Sequence, residues 1–215
     1  MTIPDYSLYL VTDRGLAGDR SLAAIVGEAV SGGVTCVQLR EKLCGTREFI
    51  DQARQLKSLL QPAGIPLIIN DRIDVALAVG ADGIHLGQQD MAIADARLLV
   101  GPGMLIGISA ESLEDAIRAE RQGADYIGIS PVFATATKAD AAHPLGLEGV
   151  RLIREAVKLP LVGIGGITEG NAGAVVAAGV DGVAVVSAII ASRCPRTAAT
   201  VLRGQVDQAR KEVRL

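Results

Sequence analysis

The chain has 215 residues, of which 49% are hydrophobic and 21% are charged, a composition typical of a globular protein with a sizeable core. Its 21 basic residues stand against 24 acidic ones, and only 2% of the residues are aromatic. The lack of a basic excess and of aromatic platforms argues against a nucleic-acid-binding protein. The longest apolar run, Val183–Ala191, is far shorter than the roughly 20 residues that span a membrane, so we expect no membrane partner.

The cysteines indicate a reducing compartment. Cys36, Cys44 and Cys194 are an odd set without a CxxC pair, so we expect neither a disulfide framework nor a thiolate metal site. The first residues carry Asp5 and Asp13 around a short apolar run and show no signal-peptide pattern. We therefore expect a cytoplasmic protein. The sequence leaves its oligomeric state, including a homo-oligomer, open.

Eight short apolar runs alternate along the chain with longer stretches of helical periodicity. The runs are nearly continuous in Val, Ile and Leu, which is typical of strands buried on both faces of a parallel sheet. The predicted strands are Leu8–Thr12, Thr35–Leu39, Leu67–Asn70, Gly83–Leu86, Leu105–Ser109, Tyr126–Ser130, Leu161–Ile164 and Gly182–Val186. Helices are predicted between them, for example over Arg47–Leu60 and Ser112–Gln122.

This alternation predicts an α/β fold, a single (β/α)8 TIM barrel that forms one domain over the whole chain. Eight strand–helix units leave about 27 residues for each, at the short end of the range for such barrels. Glycines such as Gly80 and Gly179 end helical stretches shortly before the next strand. A doubly wound open sheet is the alternative, but Val11–Gly15 after the first strand lacks the glycine-rich fingerprint of that fold.

Polar residues follow the predicted strands at their carboxyl ends, where barrel enzymes carry their active sites. Gly166 and Ser187 follow the seventh and eighth strands, where many barrels bind phosphate through backbone amides, and a side chain at position 166 would block that approach. Ordinary tight turns are the alternative interpretation of these two positions.

Two aspartates at neighbouring strand ends predict a cation site. Asp71 and Asp90 are surrounded by loops that carry Arg40, Lys42 and Lys138. This set suits a diphosphate bridged to Mg²⁺, because that ion takes one or two protein carboxylates and completes its shell with water and phosphate. The alternative is that each aspartate caps the helix that follows it.

Other titratable residues carry weaker signals. His85 and His143 are the two histidines of the chain, and neither has a partner visible in the sequence, so we expect His85 to be structural. Glu41 is either a base or an ion-pair partner of Arg40 or Lys42.

The segment Pro131–Leu145 is the longest one between predicted elements, and loops of this length in compact domains are usually functional or disordered. We expect it to close over bound substrates and to bring Lys138 onto a diphosphate.

Five motifs together resemble the thiamine-phosphate synthase family. They are QLREK at 38–42, IIND at 68–71, GIHLGQQD at 83–90, TATK at 135–138 and VGIGGI at 162–167, and the resemblance runs from about Leu8 to Ser187. It implies a (β/α)8 barrel and a Mg²⁺-assisted transferase acting on small molecules. The family joins 4-amino-2-methyl-5-hydroxymethylpyrimidine diphosphate (hereafter the pyrimidine diphosphate) to a thiazole phosphate or its carboxylate, which gives thiamine phosphate and diphosphate.

The resemblance also implies roles for individual residues. The pyrimidine diphosphate is assigned to Gln38, Leu39, Arg40, Glu41, Lys42, Asn70, Ser109 and Lys138. The thiazole phosphate is assigned to Thr135, Ala136, Thr137, Gly166, Val186 and Ser187, and Mg²⁺ is assigned to Asp71 and Asp90. Among these residues, Arg40, Lys42, Ser109 and Lys138 are expected to be catalytic.

Two alternative functions remain open. A thiazole tautomerase on the same barrel needs a proton-shuttling base and no diphosphate site, so QLREK, the two aspartates and Lys138 argue against it. A non-catalytic barrel that binds phosphorylated ligands is the other alternative, and a turnover assay would separate it from an enzyme.

Overall fold

The computed structural model describes residues 4–135 and 143–213. Within these ranges, eight parallel strands form a closed barrel in which each strand pairs with the next and the last pairs with the first. The strands are β1 (Leu8–Val11), β2 (Cys36–Leu39), β3 (Leu67–Asn70), β4 (Gly83–Leu86), β5 (Leu105–Ala110), β6 (Tyr126–Ile129), β7 (Leu161–Ile164) and β8 (Gly182–Val185). The predicted (β/α)8 barrel is confirmed, and the open-sheet alternative is wrong.

Helices connect the strands on the outside of the barrel. Those in the described ranges are α1 (Arg14–Ala17), α2 (Leu22–Ser31), α3 (Thr46–Leu60) with a 3-10 turn over Gln61–Ala63, α4 (Ile73–Val79), α5 (Ile93–Val100), α6 (Leu113–Arg121), α7 (Gly146–Ala156), α8 (Ala172–Ala177), α9 (Ser187–Ile190) and α10 (Pro195–Val213). The Ser112 hydroxyl caps α6 by accepting from the Asp115 amide at 3.1 Å, and Gly80 ends α4 with a φ of 60°. In the part of the chain that the structure describes, each helix is too short or too polar to cross a membrane.

The strands are buried on both faces because the barrel has two apolar regions. In β1, Leu8 and Leu10 pack in the core between the barrel and the helices, whereas Tyr9 belongs to the cluster inside the barrel. Tyr6 and Tyr126 fill the barrel beside Tyr9, and the ring centroids of Tyr6 and Tyr126 are 4.7 Å apart. All three tyrosines of the chain therefore lie in the barrel interior, below the carboxyl ends of the strands.

Candidate active site

A cavity of about 280 Å³ opens at the carboxyl ends of the strands. Most of the residues predicted as site residues line it. These are Gln38, Arg40, Lys42, Asn70, Asp90, Ser109, Thr135, Gly166, Val186 and Ser187. They lie on, or in the loops after, seven different strands, so the closure of the barrel brings them around one space.

Three other predicted residues are described but do not line this cavity. Leu39 is fully buried in the core between the barrel and the helices. Asp71 forms an ion pair with Lys42, which does line the cavity. The Glu41 side chain is only 3% exposed, and its Oε1 lies 3.3 Å from Nε of Arg14. Glu41 is therefore an ion-pair partner, but of Arg14 after β1 rather than of its neighbours in sequence.

Ala136, Thr137 and Lys138 lie outside the described residues. The expected closure of Pro131–Leu145 over bound substrates depends on the same segment and stays a prediction.

Two cations face the cavity from the loop after β2, and each is next to an aspartate. Arg40 Nη1 lies 3.6 Å from Oδ2 of Asp13, and the Arg40 amide donates to the Thr12 hydroxyl at 3.0 Å. Lys42 pairs with Asp71. Positive charge held near the mouth of a cavity in this way is suited to binding a polyanion such as a diphosphate.

The two aspartates predicted to bind Mg²⁺ follow neighbouring strands, and neither caps a helix. Helices α4 and α5 both start without a side-chain cap, so the capping alternative is wrong. Asp71 has a φ of 50°, which is uncommon for a residue other than glycine, and its amide donates to the His85 carbonyl at 2.9 Å. Asp90 Oδ2 accepts from the Gly87 amide at 2.6 Å.

These two carboxylates fit an ion that keeps only one or two protein ligands. In residues 4–135 and 143–213, no group of three or more His, Cys, Asp or Glu side chains is arranged to hold a metal. A Mg²⁺ ion at Asp71 and Asp90 would therefore take its remaining oxygens from substrate phosphate and water, as this ion commonly does.

The glycine loop after β7 is shaped by its contact with the loop after β6. Gly165 and Gly166 have φ values of 99° and 63°. A Cβ at Gly166 would lie 2.6 Å from the Ala134 carbonyl oxygen and 2.8 Å from Cβ of Phe133. The Gly166 carbonyl also accepts from the Asn171 side chain at 3.0 Å. Glycine is thus required first by the packing of the two loops, which the sequence-based argument about phosphate did not foresee.

Replacing Gly166 with alanine is expected to raise KM for the thiazole phosphate by about tenfold, with a smaller change for the pyrimidine diphosphate. The methyl group displaces the backbone that carries Ala134 and Thr135, and the left-handed φ costs about 1–2 kcal/mol. Steady-state kinetics with each substrate varied in turn measure the two effects.

Gly64→Ala is the matched control for backbone strain. Gly64 has a φ of 65°, and no atom lies within 4 Å of the position that a Cβ would occupy. The Gly64→Ala variant should have a lower Tm than the parent protein, with KM unchanged for both substrates. Equal changes of both KM values in Gly166→Ala would contradict the assignment of this loop to the thiazole phosphate.

Five polar side chains that line the cavity form a continuous series of hydrogen bonds. Gln38 Nε2 donates to the Tyr9 hydroxyl at 2.9 Å, and the hydroxyls of Tyr9 and Tyr126 are 2.9 Å apart. His85 Nδ1 lies 3.0 Å from the Tyr126 hydroxyl, and His85 Nε2 lies 2.9 Å from Oγ of Ser109. His85 thus contacts a predicted catalytic residue.

Sequence reasoning missed both tyrosines of this series. The available signal was the glycines inside strands β5 and β6, Gly107 and Gly128, because a glycine within a strand often marks a close approach. A Cβ at Gly107 would lie 2.1 Å from Cζ of Tyr126, and one at Gly128 would lie 3.1 Å from Cε1 of His85. These two glycines leave room for the two rings.

Comparisons with known proteins agree with this geometry. A family profile described as thiamine monophosphate synthase matches residues 8–189. The thiamine-phosphate synthase of Albidiferax ferrireducens is 58% identical over 200 residues, which cover 93% of this chain and 91% of the relative. That of Chloroflexus aurantiacus is 53% identical over 204 residues, which cover 95% and 94%.

A solved structure is similar over the same extent. The thiamine phosphate pyrophosphorylase from Pyrococcus furiosus is 43% identical with a TM-score of 0.89, and the match covers 96% of this chain and 98% of that one. The matched region runs from β1 through β8 and includes the whole cavity. The chain belongs to the thiamine monophosphate synthase family.

Proposed function

We propose that the protein is a transferase that makes thiamine phosphate from the pyrimidine diphosphate and the thiazole phosphate, and releases diphosphate. The observation that carries this proposal is a single cavity that holds both halves of the expected binding set. Gln38, Arg40 and Ser109 line it from β2, the loop after β2 and β5, and Gly166 and Ser187 line it from positions after β7 and β8. Relatives more than half identical over nine-tenths of the chain carry the synthase name, which does not favour a tautomerase or a non-catalytic barrel.

The proposed reaction replaces a carbon–oxygen bond with a carbon–nitrogen bond. The bond between the methylene carbon and the diphosphate oxygen breaks, the electron pair leaves with the oxygen, and the aminopyrimidine ring delocalises the positive charge. The thiazole nitrogen then donates its lone pair to the same carbon. Neither step needs a proton transfer, which agrees with a chain that has only two histidines.

The pyrimidine diphosphate is proposed to bind between Gln38 and Ser109 at its ring and near Arg40 and Lys42 at its phosphates. Arg40 is held before substrate arrives, because Asp13 and Thr12 fix its side chain and its backbone. A fixed cation stabilises the charge that develops on the leaving oxygen without having to reorganise. Asn70 also lines this part of the cavity, and Lys138 is proposed as a further cation.

We propose that Asp71 and Asp90 hold Mg²⁺. When bound, the ion would supply positive charge that stabilises the departing diphosphate. The chain contributes by holding the carboxylates in place. The Gly87 amide orients Asp90, and the hydrogen bond from the Asp71 amide to β4 fixes the backbone of Asp71.

The thiazole phosphate is proposed to bind on the opposite side of the cavity. Thr135, Gly166, Val186 and Ser187 line that side, where backbone amides and hydroxyls can donate to a phosphate without adding charge. The adjoining Ala136 and Thr137 are proposed to belong to the same subsite. This arrangement would direct the thiazole nitrogen toward the methylene carbon and hold the two reacting atoms together.

The deciding experiment incubates the purified protein with both substrates and Mg²⁺, and follows thiamine phosphate and diphosphate by chromatography and mass spectrometry. We expect the two products in equal amounts, and neither when one substrate is left out. Isomerisation of the thiazole carboxylate without the pyrimidine would indicate the tautomerase instead. Binding of both phosphates without any product would indicate a non-catalytic barrel.

The cytoplasm is the proposed location, with small molecules as the partners. Cys36, Cys44 and Cys194 are all free thiols, which is typical of a reducing compartment.

A further inference from the structure

We propose that His85 is a positioning residue. Buried hydroxyls hold it in one tautomer, and this makes the Ser109 hydroxyl a hydrogen-bond donor to an unprotonated ring nitrogen of the substrate. The identity of the substrate as an aminopyrimidine rests on the proposed function. The tautomer of His85 does not, and it can be measured in the protein without substrate.

We assign the series one direction, which starts at the Gln38 amide nitrogen because this group can only donate. Gln38 Nε2 donates to the Tyr9 oxygen, and we assign the Tyr9 proton to the hydrogen bond with the Tyr126 oxygen. The Tyr126 proton then points to Nδ1 of His85, which must be the unprotonated nitrogen of a neutral imidazole. The proton of His85 is therefore on Nε2, and it is donated to Oγ of Ser109.

Burial keeps the two tyrosines as proton donors. Tyr9 is 1% exposed and Tyr126 is 0% exposed. Loss of solvation raises the pKa of both hydroxyls well above the usual value, so neither ionises at physiological pH. The direction of the series cannot be reversed by losing a proton from either hydroxyl.

The surrounding strands hold the rings of Tyr126 and His85 in place. Gly107 pairs in register with Tyr126, and Gly128 pairs with Ser109, between β5 and β6. A side chain at Gly107 would collide with the Tyr126 ring, and one at Gly128 would crowd the His85 ring, so these strands leave space for the series. Such a network restricts the rotation of each hydroxyl, which is how a buried polar network specifies one arrangement.

The direction of the series decides which role the Ser109 hydroxyl plays toward a substrate in the cavity. A serine hydroxyl both donates and accepts, and in isolation it would rotate to suit either kind of substrate atom. Since Oγ of Ser109 accepts from His85, its own proton is left for a partner in the cavity. An aromatic ring nitrogen with a free lone pair is such a partner, whereas a carbon or an N–H group in its place is not. The series therefore selects aminopyrimidines by the acceptor they present.

Tyr126→Phe tests this inference, because it removes the hydroxyl that joins Tyr9 to His85 and keeps the ring. The readout is the pair of nitrogen-15 shifts of the His85 side chain. The chain has only two histidines, so a His143→Gln background leaves a single set of signals. We expect Nε2–H alone in the parent protein and a mixture of tautomers in Tyr126→Phe. We also expect a fall of about tenfold in kcat/KM for the pyrimidine diphosphate, with KM for the thiazole phosphate nearly unchanged.

Tyr6→Phe is the matched control. The Tyr6 ring packs on Tyr126, but among the described residues its buried hydroxyl has no hydrogen-bond partner. This variant removes the same atom from the same aromatic cluster and should keep the parent tautomer and kinetics. If both variants showed the same fall in kcat/KM and the same mixture of His85 tautomers, the cluster would matter only for packing and the inference would be overturned.

A parent His85 protonated on Nδ1 would also overturn the inference, and it would leave the proposed function untouched. Conversely, failure to form thiamine phosphate by a protein with the expected tautomer would count against the proposed function and not against the series.

Discussion

Asparagine in place of Asp71 or Asp90 is expected to lower turnover by at least about a thousandfold, or about 4 kcal/mol, because the proposed Mg²⁺ would lose a charged ligand and with it part of the stabilisation of the leaving diphosphate. Asparagine is chosen over alanine for two reasons. It tolerates the left-handed backbone found at Asp71, and its amide oxygen can still accept from the Gly87 amide at position 90. The substitution then removes the negative charge of the carboxylate and preserves the backbone at position 71 and the hydrogen bond at position 90.

Initial rates across a Mg²⁺ titration measure the effect, together with Tm to show that the barrel stays folded. The parent enzyme should lose its activity in chelator and regain it when Mg²⁺ is restored. Asp95→Asn is the control, because this exposed carboxylate lies on the first turn of α5, close to Asp90 in sequence. Full activity in excess chelator, or parent-like rates in both asparagine variants, would rule out a metal at these residues.

Arg40→Ala is expected to lower kcat by about a hundredfold, or about 3 kcal/mol, because the interaction that it removes grows as negative charge moves onto the diphosphate. The structure shows why this arginine is suited to the task. It lines the cavity while Asp13 and Thr12 hold it, so it is already positioned when substrate binds. An interaction made mainly in the transition state changes kcat more than it changes KM.

Arg40→Lys separates charge from geometry, since lysine keeps the charge but loses the planar fork that binds two phosphate oxygens together. We expect it to recover part of the lost rate. Arg54→Ala, which removes an exposed arginine of α3, should have no effect on kinetics. If Arg40→Ala instead raised KM for the pyrimidine diphosphate and left kcat unchanged, Arg40 would be a binding residue without a role in the chemical step.

The architecture could be predicted from the sequence because strands buried on both faces leave a strong local signal. Leu67–Asn70, Gly83–Leu86 and Leu161–Ile164 were predicted to the residue, since each is a continuous apolar run with a clear end. Each of the other five strands differs from its predicted range by one residue at one end. Thr12 and Ser130 continue the strand-like pattern of the sequence, but in the structure each lies one residue beyond the end of its strand.

Part of the candidate site could be predicted for a related reason. The carboxyl ends of neighbouring parallel strands must lie side by side, so strand order alone places Asp71 and Asp90 in loops that follow two adjacent strands. The ion-pair partner of Glu41, in contrast, could not be predicted from strand order. Its neighbours Arg40 and Lys42 face the cavity, whereas Glu41 is buried against Arg14, a residue of the preceding βα unit. Which way each loop side chain turns is decided by the packing of adjacent loops.

The sequence by itself determined the strand–helix alternation, the face that carries the polar loops and ten of the residues that line the cavity. Only the closed barrel decided which buried side chains join them. Tyr9 and Tyr126 are 117 residues apart in the chain, yet their hydroxyls meet at 2.9 Å inside the barrel. The glycines of β5 and β6 indicate a close approach, but the sequence does not show which side chains meet there, because each tyrosine occupies an inward position in an apolar strand. Their hydrogen bonds exist because closure removes water from the interior, where each buried hydroxyl needs a partner that only another strand can supply.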